Sequence, residues 1–462
     1  MPEETTLNLE QLEDAVLAAL EGDETARLES LLAPLHPGDI AELIARIPLS
    51  ELRIAVFRHV PDELAGDVLD LVPEVIQDEL VEDLTPTELV EAVQEMSPDD
   101  AADLITDLEP AEQKELLENI PQEQSDAIRD LMRYPSDTAG GLMTPQFTAL
   151  QAGTTAGQAI DILRRVADSD HEVFYYVYVV DARNKLLGAL SLRDLLLARS
   201  HQLVDDCMIT NVYSVDVMTD QEEVARTFKR YGYLALPVVD TENRLLGVVT
   251  VDDIIEVIQD EDSEDVQKMV GAGGDEGIDS ALTLSIRRRL PWLKVNMVTA
   301  FLAAGVVSFF QDLIERNVVL AVFLPFCAMM AGNAGQQALA VVIRGVVLDT
   351  AASRRWFRIL GRELCLGCVN GSIIGALTGL VVYFFSNPHN PVLAVLIGAA
   401  LMATMMTASV SGAGIPLLMR RIGFDPAQGS TVILTTITDV VGFGFFLGLA
   451  RLLEPWFASP AP

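Results

Sequence analysis

The chain has 462 residues, half of them hydrophobic, yet 68 Asp and Glu outweigh 31 Lys and Arg and leave a formal net charge of −37. A mean hydropathy of +0.31 beside that charge excludes one well-mixed globular domain, because self-repelling carboxylates and surplus apolar surface do not share a core. The shortage of basic residues also excludes nucleic acid as a partner, since phosphates need a cationic footprint.

The conflict resolves after Val270. Residues 1–270 hold 58 acidic and 18 basic residues, whereas residues 271–462 hold 10 and 13. The first part reads as a soluble polyanion, either a binder of cations or a domain kept dispersed by its charge; the second reads as a membrane domain. The acidic N-terminus has no basic region followed by an apolar stretch, so no cleaved signal peptide is expected. Four Cys exclude a disulfide framework. Cys365 and Cys368 form a lone CxxC inside an apolar segment, which favours small-residue helix packing over metal binding.

Prolines stand at 37, 48, 61, 73, 86, 98, 110, 121 and 135. Proline suits the first turn of a helix and stops the one before, so this rhythm predicts a stack of short helices, a solenoid. Acidic residues at the helix starts, such as Asp99 and Asp100 after Pro98, are also what a helix N-terminus favours for its dipole alone.

A repeat with an offset of 59 follows. Val179-Val180-Asp181 matches Val238-Val239-Asp240, Asn184 to Gly188 matches Asn243 to Gly247, and Ser191 to Leu195 matches Thr250 to Ile254. Each unit reads as strand, turn, strand, helix, and the pair resembles tandem CBS modules, regulatory domains that often bind adenine nucleotides between repeats. That resemblance implies a nucleotide site at Arg193 and Asp194, with ATP as a regulatory ligand; a CBS pair without ligand is the alternative. The run Asp252 to Asp265 then carries a dense set of acids. Like charges at i and i+4 destabilise an isolated helix by about 0.2–0.5 kcal/mol per pair, so a cation is expected to offset them. Gly271 to Gly277 lacks the preceding strand of a phosphate loop and reads as a linker.

A bilayer core needs about 20 apolar residues per helix. Five stretches qualify: Val295 to Ile314, Val318 to Ile343, Leu364 to Phe385, Val392 to Met419 and Val432 to Leu453. Cytoplasmic loops retain Arg and Lys. Arg287, Arg288 and Arg289 precede the first span; Arg344, Arg354, Arg355, Arg358 and Arg362 follow the second; Arg420 and Arg421 follow the fourth. These place the N-terminus in the cytoplasm and, with five spans, the C-terminus outside.

Asp439 is the one acid deep inside a predicted span. A carboxylate there costs about 2.5–3.5 kcal/mol, so it should face water or a partner; a purely structural hydrogen bond is the alternative. In the second span, Pro325 frees a carbonyl, and Gly332 and Gly335 let the backbone open or pack closely. Freed carbonyls with Asn333 and Gln336 would offer oxygen ligands to a hard cation; close helix packing is again the alternative. Glu363 and Asn370, seven apart, are expected on one face of the third span. Thr407 and Ser411 share a face of the fourth, which is expected to end near Pro416.

The run Tyr134-Pro135-Ser136-Asp137-Thr138-Ala139-Gly140-Gly141-Leu142-Met143-Thr144-Pro145, the CBS pair, the Pro325 to Gln337 motif, Asp425-Pro426 and Thr438-Asp439 together resemble the MgtE family of magnesium channels over nearly the whole chain. The resemblance implies a multidomain membrane protein: an N-terminal α-helical superhelical domain (1–136), tandem α/β CBS repeats (137–199 and 200–251), an acidic connecting or plug helix (252–270), a linker (271–290) and a five-span all-α transmembrane domain (291–455). It further implies a homodimer in the plasma membrane, which in bacteria is the inner membrane, and Mg2+ uptake gated by intracellular Mg2+.

By position, Asp439, Gly332, Asn333, Ala334 and Gly335 resemble the pore site. Asp99, Asp103, Asp253, Glu256, Glu261, Glu264, Asp265 and Asp425 resemble cytoplasmic sensing residues. Gln336 stands where the family often has Asn. A proton- or sodium-coupled divalent cation exchanger and a CBS-bearing sensor without transport are the rival readings. An enzyme has least support, since no nucleophile and base pair or metal triad is present.

Overall fold

Proline punctuation turns into helix starts. In the computed structural model, which describes residues 9–22, 24–166, 176–274, 276–277, 280, 282–348, 355–385 and 390–457, α1 (Leu9–Glu21) and α2 (Thr25–Leu32) lead into a run of short helices. These are α3 (Pro37–Arg46), α4 (Ser50–Phe57), α5 (Asp62–Leu71), α6 (Glu74–Asp83), α7 (Pro86–Glu95), α8 (Pro98–Asp107), α9 (Pro110–Asn119) and α10 (Gln122–Leu131). Pro37, Pro86, Pro98 and Pro110 begin their helices, while Pro61, Pro73 and Pro121 stand at the N-cap. Helices two apart pack together, α3 on α5, α5 on α7 and α8 on α10, so the core runs through the stack as in a solenoid. Gly66 permits one such approach, since a Cβ there would stand 2.8 Å from the backbone between Glu95 and Met96.

Pro135 starts no helix. The segment after it is a turn held to the second CBS repeat: Ala139 N donates to Thr219 O at 2.7 Å, Gly140 N to Val217 O at 2.8 Å and Gln221 N to Asp137 O at 2.9 Å. The close approach explains Gly140 and Gly141, whose Cβ atoms would lie 2.6 Å from Val217 and from Pro135 O.

The first repeat comprises β1 (Ala149–Gln151), α11 (Ala156–Val166), β2 (Tyr176–Val180), β3 (Leu186–Ser191) and α12 (Leu192–Leu197). The second comprises β4 (Val215–Asp216), α13 (Gln221–Tyr231), β5 (Ala235–Val239), β6 (Leu245–Thr250) and α14 (Val251–Val270). Their sheets have orders β1-β2-β3 and β4-β5-β6, parallel then antiparallel. Asn184 and Asn243, 59 apart, both adopt φ 62° in the hairpin turns. Their side chains cross reciprocally, Asn184 Nδ2 to Leu245 O at 2.9 Å and Asn243 Nδ2 to Leu186 O at 3.0 Å. The sequence repeat is therefore a pseudo-two-fold axis.

The chain divides into two compact units, Met1–Asp260 and Glu261–Pro462. In the second, five helices are long and apolar enough to cross a membrane: α15 (Leu282–Phe309), α17 (Val319–Leu348), α18 (Trp356–Phe385), α19 (Pro391–Arg421) and α20 (Ser430–Phe457), with a short α16 (Gln311–Arg316) after the first. The first span starts 13 residues before the expected Val295, because the arginine-rich lead-in is itself helical, and it stops at Phe309. Pro416 does not end α19, which runs on to Arg421. Arg354, Asp275 and residues 386–389 lie outside the described residues.

Packing among the spans follows glycines. On α18, Glu363, Gly367, Gly371, Gly375 and Gly379 form one buried stripe, and Cβ atoms at Gly367 and Gly371 would lie 2.8 and 2.9 Å from the Cα atoms of Met406 and Met402 on α19. Backbones approach closely where no Cβ intervenes, which suits apolar helices without a hydrophobic drive between them. Asn370 is exposed and off the stripe; a four-residue repeat, not a seven-residue one, defines the packed face.

Candidate functional site

The soluble unit brings its predicted acids together around a cavity of about 430 Å³. Asp99 and Asp103 come from α8, one turn apart, and Asp253 and Glu256 from the first turns of α14. Asp70, Asp100, Asp107, Asp137, Glu74 and Asp260 join them, so among the described residues that line it ten of seventeen are acidic and none is Lys, Arg or His.

Local sequence places them. Ser97 caps α8, its Oγ accepting from Asp100 N, and its single hydroxyl lies 2.7 Å from both Asp99 Oδ1 and Asp100 Oδ2, so one proton serves two carboxylates. At the start of α14, Thr250 donates to Asp253 Oδ2 through its hydroxyl at 2.5 Å and through its backbone N at 3.4 Å. The dipole role of these acids and their shared cavity are therefore both present.

Burial and mutual repulsion raise their affinity for protons. Asp70 is pushed up to about 7 by burial and then by Glu256, Asp253 and Asp99; Asp100 to about 9 by burial, Asp70 and Asp99. Asp103 rises to about 7 and Asp253 to about 6, each chiefly through burial. Asp99, only 7% exposed, is also raised, by burial first. Such a site gains from a cation. Among the described residues no group of three or more His, Cys, Asp or Glu is gathered so as to hold a metal ion directly. Asp70 was not legible beforehand, since only its fold neighbours distinguish it from the other acids of α5.

The CBS pair carries two clefts related by its pseudo-symmetry. One, of about 130 Å³, is lined by Tyr176, Tyr178, Tyr213, Tyr233, Asn211 and Pro237 among others. Arg193 and Asp194 are not in its lining. Asp194 instead sits in the first turn of α12 against its cap Ser191, whose Oγ accepts from Asp194 N at 3.1 Å and donates to Asp194 Oδ2 at 2.6 Å. The aromatic residues of this cleft escaped the sequence reading, which followed the position of Arg193 and Asp194 in the CBS repeat. The second cleft, about 150 Å³, is lined by Asp99, Asp252 and Asp253 together with the buried Tyr178; it is acidic where its mate is apolar.

In the second unit, Glu264 and Asp425 meet through Lys268, whose Nζ stands 2.5 Å from Glu264 Oε1 and 3.8 Å from Asp425 Oδ2. Glu261 contributes to the field on the same ammonium, and Asp265 lies on the same helix. Gly429 N donates to Lys268 O at 3.0 Å, tying the end of α14 to the loop before α20. Trp292 of α15 packs against Gly271 and Gly429, both of positive φ. Gln267 clamps Glu276 through Nε2 to O at 2.9 Å and through Oε1 from N at 3.2 Å. Glu276 in turn pairs with Arg289. None of Lys268, Trp292 or Gly429 was foreseen.

The motif on α17 is split between two faces. Ala331, Gly335, Ala338 and Leu339 are buried, while Asn333, Gln336 and Gln337 are exposed and Gly332 and Ala334 are intermediate. Gly335 packs on Gly412 of α19 and Leu434 of α20, whereas Gly332 has open space around it. The helix stays continuous over Val319–Leu348 with Pro325 inside. The backbone does not open at the glycines, and the carbonyl that Pro325 deprives of a donor is that of Ala321, four residues earlier. Asp439 lies half-buried near the middle of α20.

Comparison with known proteins gives the same outline. Family profiles match at residues 324–449 (MgtE, divalent cation transporter), 35–137 (MgtE intracellular N domain) and 139–201 and 204–260 (CBS domain). The magnesium transporter MgtE of Thermus thermophilus is 35% identical over 468 residues, covering 96% of this chain and 99% of the relative. That of Enterococcus faecalis is 36% identical over 335 residues, 72% and 73%. A crystal structure of the cytosolic domain of the Mg2+ channel MgtE in complex with ATP aligns with TM-score 0.51 at 38% identity, over 53% of this chain and 99% of that one. With its helical N domain, paired CBS repeats and five long apolar helices, the chain belongs to the MgtE family of magnesium transporters.

Proposed function

We propose that the chain is a Mg2+-selective channel that takes up magnesium across the plasma membrane and is closed by Mg2+ bound to its cytoplasmic acidic surfaces. The observation that carries the gating reading is the cavity with ten acidic and no basic residues among the described ones that line it. At low cytosolic Mg2+ these carboxylates repel, and their raised proton affinity reflects their burial first and that repulsion second. Hydrated Mg2+ supplies the missing charge and draws α8 and α14 together. Asp99, Asp103, Asp253 and Glu256 act there; Glu261, Glu264, Asp265 and Asp425 act at the membrane end of α14.

For conduction, Asp439 holds the hydrated ion, with backbone oxygens of Gly332, Asn333, Ala334 and Gly335 around its water shell. Mg2+ dehydrates reluctantly, so a carboxylate that binds the shell conducts better than one that strips it. A homodimer would bring two Asp439 to one axis. The arginines at 287–289, 344, 355, 358, 362, 420 and 421 support a cytoplasmic N-terminus and an outward C-terminus. The tyrosine-lined cleft is suited to stacking an adenine, and β3, whose Ala189 lines it, leads into Arg193 and Asp194; ATP is the regulatory ligand we assign there, by analogy with the relative crystallised with it.

The test is Mg2+ uptake into proteoliposomes as Mg2+ is raised on the side of the soluble half. Uptake should fall at millimolar Mg2+ in the wild type and persist in the double variant Asp99→Asn, Asp253→Asn. Wild-type uptake indifferent to Mg2+ on that side would overturn the gating reading.

A further inference from the structure

Lys268 is the only basic residue in the twenty of α14. Its ammonium stands between two carboxylates from different elements, Glu264 on the helix at 2.5 Å and Asp425 in the loop before α20 at 3.8 Å. Asp425 is oriented for this: its Oδ1 accepts from Ala427 N at 2.8 Å, which leaves Oδ2 towards Lys268. The backbone joins the same elements, through Gly429 N to Lys268 O. A lysine in the last turn would favour the helix dipole wherever it pointed; here it points into the gap between two acids.

We propose that Lys268 is a tethered internal cation that occupies the position between Glu264 and Asp425, holds α14 against the α20 loop when Mg2+ is scarce, and competes with Mg2+ for those two carboxylates. The inference rests on the reading of Glu264 and Asp425 as sensing residues and adds a residue that sets their threshold. An amine on a short tether has a high effective concentration at its site. Mg2+ carries twice the charge but arrives with its water shell. Removing the amine leaves two facing acids, which loosens the contact without Mg2+ and strengthens the demand for it. The threshold for Mg2+ is thus raised by the competitor that the chain supplies itself.

The experiment is hydrogen exchange of the full chain in lipid nanodiscs, read in the segment containing Gly429, with Mg2+ alone as the titrant. In Lys268→Gln the segment should exchange about two- to fivefold faster without Mg2+, and its protection midpoint should fall by about fivefold, the range of a partly exposed ion pair. Lys268→Arg should stay within about twofold of wild type on both readings. An unchanged or higher midpoint in Lys268→Gln, or Mg2+-free exchange equal to wild type, would overturn the proposal. If wild type shows no Mg2+ dependence, the sensing reading fails, and the competition with it; the tether alone is then decided by the Mg2+-free comparison.

Discussion

The carbonyl of Gly335 on α17 lies directly against Gly412 on α19, so that a Cβ at Gly412 would overlap that oxygen. Three helices converge there, since Leu434 of α20 also covers Gly335. Gly412→Val should therefore destabilise the membrane unit by about 1–3 kcal/mol, the range for overpacking. Gly332→Ala, with nothing within 4 Å of the new methyl, should leave thermal stability unchanged. Melting of both variants in detergent checks the contrast, and equal loss in the two would contradict the packing described.

Asp439 is the acid near the middle of α20, a helix otherwise apolar from Val432 to Ala450 apart from its threonines, and the helix's other acid, Glu454, stands in its last turn. Asp439→Ala should lower Mg2+ uptake in proteoliposomes by about ten- to a hundredfold if the carboxylate binds the ion's water shell, as loss of a charged hydrogen-bonding group implies. The melting temperature should stay within a few degrees. Unchanged uptake would remove Asp439 from the path.

The acidic cavity makes stability depend on pH in a direction set by the raised carboxyls. Asp253, Asp70, Asp103 and Asp100 hold protons up to about 6, 7, 7 and 9, against an ordinary 3.8. The folded state binds more protons than the unfolded one, so this stability is full below about pH 4 and is lost as pH rises through 6 to 9. The melting temperature of residues 1–270 in chelator should fall across that window, and millimolar Mg2+ should reduce the fall. Asp100→Asn should raise melting at pH 8 by at least about 2 °C. A melting temperature that rises with pH in chelator would refute the account.

The nucleotide site proposed for the CBS pair is tested at its tyrosines. Tyr233 lines the apolar cleft and stacks on Tyr231 with ring centroids 5.5 Å apart. Tyr233→Ala should weaken ATP binding by about tenfold, the scale of one stacked aromatic contact. Calorimetry with ATP checks it, and unchanged affinity would move the nucleotide elsewhere.

How much of this was legible differs between residues. Prolines 37 to 121 announced the helix starts because proline acts through its own ring and its missing N–H, without help from distant neighbours. The offset of 59 announced the paired sheets, and even the turn asparagines, because a repeated sequence folds into a repeated unit. Pro135 and Pro416 misled for the opposite reason: the first sits in a turn held by Val217 and Thr219, and the second inside a helix supported by its neighbours α17 and α18. Arg193 and Asp194 came from the CBS resemblance, whereas the cleft's lining is built from tyrosines whose rings converge from separate strands and loops.

The split of a net charge of −37 into an acidic soluble half and an apolar membrane half is a matter of sequence alone, since charge density and hydropathy are sums over neighbouring residues. Which of the 58 carboxylates share a cavity, and that Lys268 stands between Glu264 and Asp425, were decided only by tertiary structure. Repulsion and pairing depend on distance through space, and chain positions 70, 99 and 253, or 268 and 425, carry no record of that distance until the helices pack.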